Sequence, residues 1–119
     1  MGSHSVTKHK VILVPFPFDD LSSSKVRPAV CLTDPIGPHR HVILAFVTSR
    51  IPDKLLETDL VIDARSTDFR ATGLQVSSTL QLHRLMTATT SLLQRELGVL
   101  SPAMQAQVKA RLRKVFGLA

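Results

Sequence analysis

A chain of 119 residues with 44% apolar content can bury one modest core, which predicts a single domain over 1–119 and excludes a second. Fifteen Lys and Arg against nine Asp and Glu give a net charge of +6, an excess that favours an anionic partner such as nucleic acid or an acidic protein segment, with solubility as the plainer account. The one cysteine, Cys31, excludes an internal disulfide framework and a cysteine-based zinc site and makes the cytoplasm the simplest compartment, and no apolar run reaches the length of a membrane span.

The opening MGSHS has the look of an expression-tag remnant, and His4 is given no role. Residues 10–18, KVILVPFPF, are β-branched and aromatic and predict a first strand. Pro15 and Pro17 remove ladder donors at alternate positions, which suits an edge strand or a strand that is ending. The polar stretch 19–25, DDLSSSK, reads as a loop, and VRPAVCLT at 26–33 as a second short strand carrying Cys31 as a small buried hydrophobe. After the connector DPIGPHR, the nearly continuous apolar run HVILAFVT at 41–48 predicts a central strand covered on both faces, and LVID at 60–63 a shorter one.

Leu74, Val76, Ser78, Leu80 and Leu82 alternate with Gln75, Ser77, Thr79, Gln81 and His83, the two-residue period of a half-buried strand whose other face is polar. Beyond LMT the pattern predicts a helix, with Ser91 and Gln94 as a capping box and Gly98 as its stop. A second helix is expected from Ser101 as cap and Pro102 in the first turn, with Met104, Val108, Leu112 and Val115 as its apolar stripe. Its late basic residues, Lys109, Arg111, Arg113 and Lys114, suit the negative end of the helix dipole. Five short strands followed by two helices indicate an α+β domain with a curled antiparallel sheet or small barrel.

Phosphate-cradling glycine loops, nucleophile elbows and dinucleotide fingerprints are missing from the sequence. His39 and His41 flank Arg40, and a cation between two imidazoles makes a poor metal site, so a solvated hairpin tip is expected there. His83 falls on the polar strand face beside Gln81 and Arg84, where an imidazole can exchange protons near neutrality or simply sit exposed at a strand end. Arg27 precedes Pro28, which holds it in extended geometry and aims a planar, permanently charged fork suited to phosphate. Thr48 and Ser49 end the central strand with two hydroxyls followed by Arg50, an arrangement that can hydrogen-bond a phosphate or merely close a turn.

The order VILVPFPFDDLSSSKVRPAV, FVTS, GLQVSSTLQLHRLMT, LGVLS and a closing helix resembles the MazF/PemK family of toxin endoribonucleases from type II toxin-antitoxin systems, over nearly the whole chain from Lys10 onward. The resemblance implies a small SH3-like antiparallel β-barrel (CcdB/MazF-like) with C-terminal helices, a homodimer, and cleavage of single-stranded RNA without a metal or other cofactor. The implied reaction is attack of a ribose 2′-hydroxyl on the adjacent phosphate. It also implies a cognate acidic antitoxin as partner. Arg27 matches the family's arginine before Pro-Ala and Thr48 the threonine of its TS strand end, so these two are the implied catalytic residues.

Some relatives carry an aspartate two residues after an arginine on the strand that here reads LQLHRL; His83 takes the aspartate's place, as a candidate proton acceptor, and Gln81 the arginine's. Lys25, Arg50 and Arg84 are candidate phosphate contacts, with Ser49 and Gln81 as further RNA-binding candidates. The chain departs from the family in reading HKVI where GDIV is common and RLMTAT at 84–89 where a Q-x-R-T-x-D pattern is common. It also has no Trp or Tyr, which leaves few stacking platforms for bases. A non-catalytic toxin of the same fold, such as a CcdB-like gyrase inhibitor, is the alternative.

Overall fold

Runs of Val, Ile, Leu and Phe at strand length, punctuated by Gly, Pro and Ser, organise the chain as a sheet. The structure, a computed structural model, describes residues 6–16 and 25–119. Its strands are β1 (Lys10–Phe16), β2 (Lys25–Cys31), β3 (His41–Thr48), β4 (Asp59–Ile62), β5 (Ser78–Thr89) and β6 (Arg95–Val99), followed by one helix, α1 (Pro102–Phe116). All neighbours pair antiparallel in the order β4-β5-β3-β2-β1-β6, and the sheet curls into a half-barrel closed by α1. Pro17, the proposed tag residues and the 19–25 loop, apart from Lys25, lie outside the described residues.

β3 occupies the interior position foreseen for it, and its alternation feeds two cores. Ala45 and Val47 point into a cluster with Val11, Val30, Leu80, Leu82, Met104 and Val108, while Leu44 and Phe46 point to the other face with Ile12, Val14, Ala29 and Cys31. A two-residue side-chain period inside a sheet covered on both sides produces this split. Cys31 is fully buried, and its burial pushes the thiol up to about 11, so it acts as a small apolar filler rather than a thiolate.

β1 is not an edge strand, because β6 pairs along its outer side. That pairing covers only Lys10 to Leu13, however, so Pro15 lies where β1 has lost its outer neighbour and its missing N–H leaves no ladder acceptor unmet. β5 begins later than the alternating pattern suggested and runs to Thr89, well past the expected switch to helix. Leu80 and Leu82 are buried as expected, but Thr79, on the supposedly polar face, is buried as well because β4 and the segment after β3 cover it.

The helix expected from Ser91 is absent, and the C-terminal part of the fold holds one α-helix rather than two. Thr90–Leu92 form a single 3₁₀ turn and Arg95–Val99 a sixth strand. The Ser91 hydroxyl bonds Thr89 Oγ1 at 2.7 Å instead of capping, and the Gln94 N–H donates to the Leu13 carbonyl at 2.9 Å. A helix of two turns is marginal by itself. The open backbone of β1, together with the Lys10–Glu96 ion pair at 3.0 Å, outweighs the local helical signal.

The second expected helix forms as α1. Ser101 accepts from the Met104 N–H at 3.1 Å, Pro102 occupies the first turn, and Gly117 at φ 65° closes the last. Met104 and Val108 are buried, with Leu112 and Val115 packed beside them. Arg111 does more than complement the dipole: its Nε donates to the Asp59 carbonyl at 2.8 Å, tying α1 to the start of β4. Ser101 Oγ also donates to Asp68 Oδ2 at 2.5 Å, and this bond, with one from Ser66, holds the Asp68 carboxyl below the usual carboxylate range. Ser101→Ala should therefore destabilise the fold by about 1 kcal/mol in urea titrations at neutral pH. A depressed carboxyl pKa confers stability above the unfolded value that is lost as pH falls through the folded one, so the variant's deficit should shrink in acid. Among the described residues no helix is long and apolar enough to cross a membrane.

Candidate active-site cleft

The register of β2 on β3 fixes the site. Ala29 faces Phe46, Val30 faces Ala45 and Cys31 faces Leu44. Continued by two residues, the same register sets Arg27 level with Thr48 on the face that Ala29 and Phe46 share. Pro28 removes the N–H at the next position and holds Arg27 extended, as the sequence suggested. The arginine and the threonine line one cleft of about 380 Å³ together with Phe46, Val47, Ser49, Arg50, Gln81 and Arg84.

The third wall comes from an irregularity in β5. Ala45 pairs with Leu85, but the next residue, Phe46, pairs with Gln81, so residues 82–84 bulge out of the ladder. Bulges re-aim side chains, and here Arg84 is brought over Phe46, its guanidinium carbon 5.5 Å from the ring centroid, with Nη1 donating to Gln81 Oε1 at 3.3 Å. Three guanidinium groups, those of Arg27, Arg50 and Arg84, thus line the cleft, and among the described residues no carboxylate lines it with them. Such a concentration of fixed positive charge in a concave site attracts an anion.

The strand end is held by hydroxyls. Thr48 Oγ1 accepts from the Arg50 N–H at 3.2 Å, and Thr79 Oγ1 donates to the Arg50 carbonyl at 2.9 Å. Because Thr48 accepts in this turn, its own hydroxyl hydrogen remains for donation outward.

Six of the eight site residues named from sequence, Arg27, Thr48, Ser49, Arg50, Gln81 and Arg84, therefore converge on one cleft. Lys25, exposed at the start of β2, and His83 are not among the lining residues. His83 lies within the bulge, with Nδ1 3.9 Å from Oδ1 of the buried Asp59. The other oxygen of Asp59 accepts from the Leu56 N–H at 3.0 Å. Sequence reasoning missed Asp59, the residue before LVID, to which it gave no role, and Phe46, which nothing distinguished from the other apolar residues of β3. His39 and His41 sit at the exposed tip of the β2–β3 hairpin with ring centroids 5.9 Å apart. Among the described residues no group of three or more His, Cys, Asp and Glu side chains could hold a metal ion.

The fold is thus a curled antiparallel half-barrel closed by a C-terminal helix, with a cationic cleft where β2 begins and β3 ends. Residues 7–116 match the family model described as PemK-like, MazF-like toxin of type II toxin-antitoxin system, and the chain belongs to that family. Among solved structures, it is similar to the Mycobacterium tuberculosis toxin MazF-mt6, with a TM-score of 0.71 and 21% identity over 92% of this chain and 98% of that one. It is also similar to MazE-MazF from Deinococcus radiodurans, with a TM-score of 0.74 and 16% identity over 98% and 100%. A third neighbour is an endoribonuclease in complex with its cognate antitoxin from a Mycobacterial species, with a TM-score of 0.70 and 14% identity over 96% and 97%. A search of curated proteins returned no match.

Proposed function

We infer that this chain is the toxin of a type II toxin-antitoxin pair and acts as an endoribonuclease on single-stranded RNA, in the cleft lined by Arg27 and Thr48. The observation that carries the reading is the convergence of three guanidinium groups and the Thr48 and Ser49 residues on one concavity. In the reaction, the ribose 2′-oxygen bonds to phosphorus while the bond from phosphorus to the 5′-oxygen breaks. The products are a 2′,3′-cyclic phosphate and a 5′-hydroxyl; the 2′-hydroxyl loses a proton and the departing 5′-oxygen gains one. Negative charge accumulates on the non-bridging oxygens, and preorganised donors aimed at that charge supply the larger part of such catalysis.

Arg27 is assigned to the non-bridging oxygens, to which its fork can donate twice. Thr48 donates to the same phosphate through its free hydroxyl hydrogen, and Arg50 holds a neighbouring phosphate in position, with Ser49 and Gln81 as further polar contacts and Lys25 outside the cleft as a steering charge. The residue that takes the 2′-proton is assigned to His83, the one imidazole of the bulge, held beside Asp59. His83→Ala should lower cleavage by about 10²-fold; an unchanged cleavage rate excludes it.

The decisive experiment is incubation with mixed single-stranded RNA in the presence of chelator. Cyclic-phosphate ends that disappear in Arg27→Ala support the reading, and intact RNA overturns it. Solved relatives that include MazE or a cognate antitoxin support an antitoxin as the natural partner; to it the net positive charge assigns an acidic segment covering the basic cleft, and the working form is assigned as a homodimer.

A further inference from the structure

A single strand bound in the cleft presents bases as well as phosphates, and bases in unpaired RNA are held by stacking on flat side chains. The chain has no Trp or Tyr. Among the described side chains, Phe69 packs against the core and Phe116 lies at the end of α1, which leaves Phe46 as the one aromatic ring lining the cleft. Phe46 itself is only 5% exposed, and the Arg84 guanidinium lies over it. The ring is therefore not available to a base. What the cleft offers in its place is the outer face of the guanidinium resting on it.

We propose that Arg84, seated on Phe46 and tethered to Gln81, is the stacking platform for a nucleobase flanking the scissile phosphate, rather than a phosphate contact. This rests on the RNA-cleaving reading of the cleft. A guanidinium is a flat, delocalised ion that stacks on aromatic planes as an ammonium cannot. Two contacts fix its orientation. The guanidinium carbon stands 5.5 Å from the ring centroid, and Gln81 Oε1, 3.3 Å from Nη1, takes one of the group's five N–H donors. The bulge at 82–84 places this assembly beside the Arg27 and Thr48 side chains instead of leaving it along the strand. Recognition by stacking also tolerates any base, so sequence preference at that nucleotide should be weak.

The test compares wild type with Arg84→Lys, which keeps the charge and removes the plane. Binding is read by anisotropy with a labelled, mixed-sequence 2′-O-methyl single-stranded RNA that cannot be cleaved. The same RNA with one abasic site at each position in turn provides the second dimension. The lysine variant should bind about tenfold more weakly, with an unchanged slope of log affinity against log salt because no charge is lost. One abasic position should weaken wild type by about tenfold and leave the variant unaffected. Equal binding by the two proteins, or abasic losses that are the same in both, overturns the platform while leaving the nuclease reading intact. Failure of wild type to bind any of these RNAs overturns both.

Discussion

Arg27→Ala is expected to reduce RNA cleavage by about 10²- to 10³-fold, the range found when one donor to a developing oxyanion is removed. The position makes the loss specific to chemistry. Arg27 lies near the start of β2, before the first residue paired to β3, and belongs to neither of the two apolar cores, so the variant is expected to keep the fold. Thermal unfolding within a few degrees of wild type, alongside the lost activity, is the expected pair of results. Arg27→Lys separates charge from geometry: an ammonium keeps the attraction for the phosphate but cannot make two parallel bonds to it, so binding should persist while turnover falls. A fully active alanine variant would remove Arg27 from the mechanism.

The second large effect concerns stability, at a place where backbones touch. A Cβ on Gly98 would overlap the Ala71 carbonyl oxygen and lie 2.5 Å from the Thr72 carbonyl carbon, while one on Gly73, at φ 74°, would overlap the Leu97 carbonyl. β6 and the 3₁₀ turn at Arg70–Thr72 thus meet main chain to main chain, and neither can yield as a flexible side chain would. Gly98→Ala should destabilise the protein by about 3 kcal/mol or more, the upper range for forced overpacking. Gly37 is the control, since it also has a positive φ, 73°, but nothing within 4 Å of its Cβ position. Gly37→Ala should cost about 1 kcal/mol. Urea midpoints of the two variants measure the contrast, and a Gly98→Ala midpoint equal to wild type would contradict the close approach.

The segments whose pattern and packing agree were legible in the sequence. The apolar run 41–48 is an interior strand, and the Ser101-Pro102 start and 3.6-residue stripe of α1 stand as read. The error at 91–98 arose because capping-box residues and a terminal glycine are local signals, whereas the open backbone of β1 that captures Arg95–Val99 comes from more than eighty residues earlier. Gly98 looked like a helix stop for the same reason; its real constraint is a neighbouring carbonyl that periodicity cannot reveal. At the site, Arg27 and Thr48 were paired through the family resemblance alone, and the β2–β3 register is what brings them level. The bulge that turns Arg84 onto Phe46 and sets His83 against Asp59 left no trace in the alternation, because skipping residues in a ladder changes which neighbours meet, not the residues themselves.

The hairpin between β2 and β3 carries a further implication. Its tip, with Gly37 and Arg40 both at positive φ, lies at the opposite end of β3 from Thr48, roughly 23 Å away at about 3.3 Å per residue. Chain can be added there without disturbing any atom that handles the phosphate. Within β3 itself, a single inserted residue would swap the occupants of the two cores and rotate Thr48 to the wrong side. Length variation is thus confined to one pole of the molecule, which makes that tip the natural place for a label, a tether or a fused reporter.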